Sequence, residues 1–116
     1  MISNELLKGT LKTIVLTLLE ENRRMYGYEI TREVERISEG KIQLSWGALY
    51  PTLHKLESEG LIVSESYNIG KRVRKYYRLT PEGEITSRDK AEEFREFVRV
   101  MQQLIKPSPG ISLNYG

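Results

Sequence analysis

The sequence predicts a mainly α fold with a small β-ribbon, a winged helix-turn-helix plus a long C-terminal helix. Three observations carry that reading. Three segments with helical apolar spacing come first. Two strand-like runs around a basic turn follow. A final long segment opens with a set of helix-start residues and runs to a proline. Helix, helix, helix, strand, turn, strand, long helix is the winged helix-turn-helix order, with the third helix as the recognition helix.

The first helix is expected over about Glu5 to Glu21. Leu7, Leu11, Ile14, Val15 and Leu18 recur at helical spacing. Asn4 or Ser3 suits its N-cap. The second opens at Met25-Tyr26-Gly27-Tyr28-Glu29-Ile30, buries Ile30, Val34 and Ile37, and ends at Ser38-Glu39-Gly40. Gly40 fits a left-handed cap. Lys41 to Leu44 alternates polar and apolar, a pattern that fits a short strand.

Ser45 is a good N-cap for the third helix, which should run to about Glu59 and stop at Gly60. Leu49, Leu53 and Leu56 form its buried stripe. Pro51 removes one backbone hydrogen bond and predicts an irregular first turn or a slight kink. Leu61–Ser66 and Arg74–Leu79 read as strands, with Tyr67 to Arg72 as a long basic tip. Thr80 as N-cap, Pro81 at the first helical position and Glu82 and Glu84 in the first turn start the last helix. It should reach about Lys106, before Pro107. The expected organisation is thus 1–80, 81–106, and a loose tail over 107–116.

Composition excludes several functions. The chain has 116 residues, no cysteine and one histidine, His54. Thiolate metal sites, disulfides and a cysteine nucleophile are ruled out. No run approaches the ~20 apolar residues of a membrane span, and no signal peptide is visible. The expectation is a cytoplasmic protein with no membrane partner. No Ser-His-Asp set and no glycine-rich phosphate loop is present, so no enzyme, metal or cofactor is expected.

The third helix has a face fit for base edges. Opposite its leucine stripe, at about 100° per residue, lie Gly47, Pro51, His54, Lys55 and Ser58, with Tyr50 at the flank. Small residues near the start, then hydrogen-bonding groups and a cation, suit a helix close to DNA. The ribbon adds charge. Lys71, Arg72, Arg74, Lys75 and Arg78 place five cations in eight residues without an acid, interleaved with Val73, Tyr76 and Tyr77. An edge charged only against aggregation would do with mixed signs, so phosphate contact is the better reading. The net charge of only +2 hides this segregation, because the last helix leans acidic over its first half.

The last helix also predicts a partner. Ala91, Phe94, Val98, Met101 and Ile105 step by three and four, the seam of a short coiled coil, and Phe97 and Leu104 widen it. Left bare, this stripe would be a large apolar patch. A homodimer covers it and presents two recognition helices to a palindromic site.

Four blocks then carry a resemblance. Tyr26-Gly27-Tyr28-Glu29-Ile30, Gly47 to Glu57 with its Leu49-Tyr50-Pro51 core, Glu59-Gly60-Leu61-Ile62, and Arg74 to Gly83 resemble the signature blocks of the PadR family over roughly Leu7 to Gly83. That resemblance implies a dimeric transcriptional regulator, mostly of the repressor kind, in the small subgroup with one C-terminal helix. It also implies that Tyr50, Pro51 and Lys55 sit at the DNA face, that Lys71, Arg72 and Arg74 hold phosphates, and that Tyr26, Gly27 and Tyr28 lie near a phosphate. The full expected DNA-binding set adds Ser45, Gly47, His54 and Lys75. Multidrug-sensing members carry a tryptophan on the last helix. Here the only tryptophan is Trp46, and Phe94 and Phe97 take the corresponding region as the candidate site for a small hydrophobic or aromatic effector. Trp46 either packs at the domain surface or reaches toward DNA. The competing function is a winged-helix module that binds protein rather than DNA.

Overall fold

The apolar periodicities converge on one core. The computed structural model describes residues 1–106, in the order α1 (Asn4–Lys8), α2 (Leu11–Asn22), β1 (Arg24–Tyr26), α3 (Gly27–Ile37), α4 (Trp46–Ser58), β2 (Ile62–Ile69), β3 (Arg72–Leu79) and α5 (Pro81–Leu104). The expected stop at Pro107 and the tail over 107–116 lie outside the described residues. Val15, Leu16 and Leu19 of α2, Ile30 of α3, Leu49, Leu53 and Leu56 of α4 and Ile62 of β2 are fully buried. Met25, Val34, Leu61 and Tyr77 close the cluster.

The structure corrects four expectations. The first helix is two. Gly9 caps α1, and both the amide and the hydroxyl of Thr10 donate to the Leu7 carbonyl, at 2.8 and 2.9 Å. A threonine side chain that bonds back to the chain competes with helix propagation, and α2 restarts at Leu11. Secondly, Lys41–Leu44 is not a strand. The Ile42 amide donates to Ser38 Oγ at 3.0 Å and the Lys41 carbonyl accepts from Ile2 N, so this backbone is used in turn and terminal contacts. Thirdly, Ile37 is not core but 56% exposed at the end of α3. Finally, the ribbon tip is short. The ladder extends to the Ile69–Arg72 pair, leaving a two-residue loop of Gly70 and Lys71. Gly70 has φ +62°, which a tight hairpin requires at its first position.

The sheet has three antiparallel strands, ordered β1-β3-β2. β1 was not foreseen. Arg23, at φ +62°, turns the chain out of α2 and lays Arg24–Tyr26 against Arg78–Tyr76. Register and pleat divide the sheet into two faces. Met25, Tyr77, Leu79 and Ile62 share the core face. Arg24, Tyr26, Arg74, Tyr76, Arg78, Glu65 and Tyr67 share the outer face.

α4 and α5 follow their start signals. Ser45 Oγ accepts from Ala48 N at 3.2 Å, and Gly60 lies at φ +76° just beyond the Glu59 C-cap. α4 runs unbroken through Pro51. Thr80 Oγ1 accepts from Gly83 N at 3.0 Å and donates to the Gly60 carbonyl at 2.7 Å. The start of α5 is thereby fixed to the turn before β2. Further along, Ser87, fully buried, donates to Glu20 Oε1 at 2.7 Å, and Arg88 pairs with Glu20 Oε2 at 3.2 Å. Beyond Ala91 every residue of the helix from Glu92 to Val100 is exposed.

Candidate nucleic-acid interface

The site is assembled by two helix starts and one strand. α3 begins at Gly27 because Glu29 Oε1 accepts from Tyr26 N at 3.0 Å, an N-terminal cap that holds Tyr26 and Tyr28 at the turn into the helix. α4 begins at Trp46 under the Ser45 cap. β3 passes both. Tyr26, Tyr28, Trp46, Tyr50, Arg74, Lys75 and Tyr77 line one open groove of about 730 Å³ between them. Five of the residues predicted to contact DNA thus share a single surface.

The other predicted residues take nearby places. Gly47, His54 and Ser45 are exposed on or beside α4. The Ser45 oxygen is engaged in capping. Pro51 and Lys55 line a second groove, shared with α1 and α2 through Leu7, Lys8 and Lys12. Lys71 and Arg72 stand exposed at the ribbon tip.

The electrostatics of the wing differ from those of its sequence. Arg78 is neutralised from the neighbouring strand, where Glu65 Oε1 accepts from its Nε at 3.0 Å. That bond, with one from the Tyr67 hydroxyl at 2.9 Å, holds the Glu65 carboxyl below the usual carboxylate range. Lys75 leaves β3 on the side facing α4 and lies 3.9 Å from Glu57. Arg74 leaves on the other side and sits over the Tyr26 ring, 4.5 Å from its centroid. The charge available to a phosphate therefore concentrates on Lys71, Arg72 and Arg74.

Sequence reasoning missed Arg24. Its guanidinium lies 5.0 Å from the Tyr67 ring centroid and 4.9 Å from that of Tyr76, and it donates to the Tyr67 hydroxyl at 2.9 Å. Tyr76 meets Tyr67 and Tyr26 edge to face at 5.4 and 5.3 Å. This cation–aromatic ladder stiffens the ribbon at its base. Its only sequence signal is the Arg-Met-Tyr alternation of β1, too short to stand out.

On α5, Phe94 and Phe97 lie with ring centroids 6.0 Å apart, 37% and 52% exposed. Val98, Leu104 and Ile105 are also exposed, while Ala91 and Met101 are half-buried. The predicted seam is an apolar stripe on the outside of the protomer. No helix among the described residues is long and apolar enough to cross a membrane.

The model of the transcriptional regulator PadR-like family matches residues 15–89. This chain belongs to the PadR-like family. The match runs from within α2 to the first turns of α5 and includes every element of the groove. Transcriptional regulator Rv3488 of Mycobacterium tuberculosis is 36% identical over 78 residues, 67% of this chain and 70% of that protein. Among solved structures, a transcriptional regulator from Clostridium thermocellum has a TM-score of 0.78 and 33% identity, covering 91% of this chain and all of that one. A PadR family transcriptional regulator from Eggerthella lenta has a TM-score of 0.73 and 34% identity, covering 90% of this chain and 88% of that one. This PadR-family protein is a winged-helix, DNA-binding transcriptional regulator and not an enzyme.

Proposed function

We propose that this PadR-family protein is a cytoplasmic repressor that binds a palindromic operator as a homodimer. The observation that carries this reading is the shared groove: the start of the recognition helix, the start of α3 and the basic strand meet in one open surface. In such folds the N-terminal residues of the recognition helix contact base edges. Gly47 lets the helix approach closely, Tyr50, His54 and Lys55 supply hydrogen-bonding groups, and Pro51 adds an apolar surface without a backbone N–H of its own. Tyr26, Tyr28, Ser45 and Lys75 flank that helix. Lys71, Arg72 and Arg74 hold the phosphates beside it.

The C-terminal helix supplies the second protomer. Ala91, Phe94, Phe97, Val98, Met101, Leu104 and Ile105 form an apolar flank that the winged domain leaves largely exposed beyond Ala91. A second copy of the same flank buries it with two-fold symmetry. A small hydrophobic or aromatic effector would bind where Phe94 and Phe97 meet the second protomer, and its entry would change the spacing of the two recognition helices.

Fluorescence anisotropy with the promoter of the protein's own gene tests the reading, titrated at low and raised salt. Binding stronger than to random DNA by ~10³ or more establishes a sequence-specific regulator. Replacing Lys71 and Arg72 with Gln should weaken binding to all sequences alike and lower the salt slope by about one unit per lost phosphate contact. Binding that is indifferent to this change removes the wing from the interface. No binding to any DNA at low salt favours the protein-interaction module instead.

A further inference from the structure

We propose that Trp46 is a specificity-determining residue that packs, with Tyr50, on the C5 methyl group of thymine in the major groove. This rests on the DNA-binding reading above and adds to it a residue and a chemical group.

Trp46 is the first residue of α4 and is 51% exposed. It is nevertheless held firmly. A Cβ on Gly27 would lie 2.2 Å from Trp46 Cζ3 and 2.7 Å from Cη2, so the six-membered ring rests directly on the backbone where α3 begins. The indole also packs on Tyr50, one helical turn on, with ring centroids 5.3 Å apart and planes tilted by 42°. Tyr50 in turn neighbours His54, centroids 6.3 Å apart. Trp46, Tyr50 and His54 thus form a row at positions i, i+4 and i+8 along one face of α4.

A tryptophan kept only for packing would bury most of its surface. This one is held by Gly27 and Tyr50 and still half-exposed, at the end of the helix that meets base edges and in the groove shared with Arg74 and Lys75. Apart from its single N–H the indole is hydrocarbon, so a half-exposed ring offers mostly apolar surface. In the major groove the apolar feature among base edges is the thymine methyl. Because the ring is already seated, little rotamer freedom is lost when it meets that methyl.

The test uses a duplex selected by the full-length protein from a randomised library, labelled and read by anisotropy. Each thymine of the duplex is replaced singly by deoxyuridine, which removes only the methyl. At one thymine per half-site, wild-type affinity should fall about fourfold, the weight of one buried methyl group. With Trp46→Ala the same replacement should change affinity by a factor near one. With Lys71→Gln it should still cost about fourfold, although overall binding is weaker. Trp46→Phe keeps a ring against Tyr50 and should give an intermediate ratio, which serves if the alanine variant fails to fold. Trp46 is the only tryptophan, so quenching of wild-type emission by acrylamide should also fall when the duplex is added.

A deoxyuridine penalty that persists in both Trp46 variants, no penalty at any thymine, or unchanged quenching in the complex each overturns the inference while leaving the DNA-binding reading intact. Failure to select any duplex overturns both.

Discussion

Gly83→Ala tests how α5 is fastened to the winged domain. Gly83 is in the first turn of α5, where an alanine ordinarily stabilises a helix by about 1 kcal/mol over glycine. Here its Cβ would fall 1.9 Å from the Leu61 carbonyl oxygen and 2.9 Å from the carbonyl carbon. Ordinary contact begins at 3.4 Å, so about 1.5 Å must be gained by moving backbone rather than a side chain. That carbonyl is not free to move. It accepts from Thr80 N at 3.0 Å, and the neighbouring Gly60 carbonyl accepts from Thr80 Oγ1 at 2.7 Å. Overpacking against a fixed group lies at the upper end of its usual cost, about 3 kcal/mol. After the helix-propensity gain, a net loss of about 2 kcal/mol is expected. For a chain of this size that lowers Tm by about 8 °C. Thermal unfolding followed by circular dichroism, at equal protein concentration, measures it. A variant as stable as wild type, or more so, would refute the close approach of α5 to Leu61.

Gly27→Ala should give a contrasting result. Its Cβ meets the Trp46 ring rather than backbone, so the indole swings outward, its emission shifts to the red, and Tm changes less than for Gly83→Ala. Thr80→Ala removes the cap on Gly83 and the bond to Gly60; urea unfolding should show a loss of about 1–2 kcal/mol. Glu59 bonds Lys12 at 2.8 Å, and that bond lowers its pKa from the ordinary 4.5. A carboxyl lowered in the folded state adds stability above its unfolded pKa and loses it as pH falls through the folded value. Glu59→Gln should therefore be less stable than wild type at pH 7, with the gap closing under acid, as read by Tm across pH. Val98→Glu places a charge in the exposed seam of α5 and should shift sedimentation from dimer to monomer without unfolding the winged domain. An unchanged sedimentation coefficient would count against dimerisation through this flank.

Where the sequence alone was sufficient, the signals were local. Ser45 and Gly60 bracket α4, Thr80 and Pro81 start α5, and Leu49, Leu53 and Leu56 are all fully buried. Capping and helical periodicity act within one turn or one face, so they need no partner to be read. The family blocks are equally local, and they pointed to the fold and the general function.

Tertiary structure decided whatever depends on a distant neighbour. Arg24–Tyr26 becomes a strand because β3 supplies its hydrogen bonds, whereas Lys41–Leu44, with a similar alternation, pairs with no strand. Arg78 is removed from the five wing cations by Glu65, thirteen residues earlier in the chain but diagonal to it on the facing strand. Trp46, ambiguous in sequence, is seated by Gly27 of another helix. Strand pairing, charge neutralisation and ring packing are all contacts between residues far apart along the chain, and only the folded arrangement brings them together.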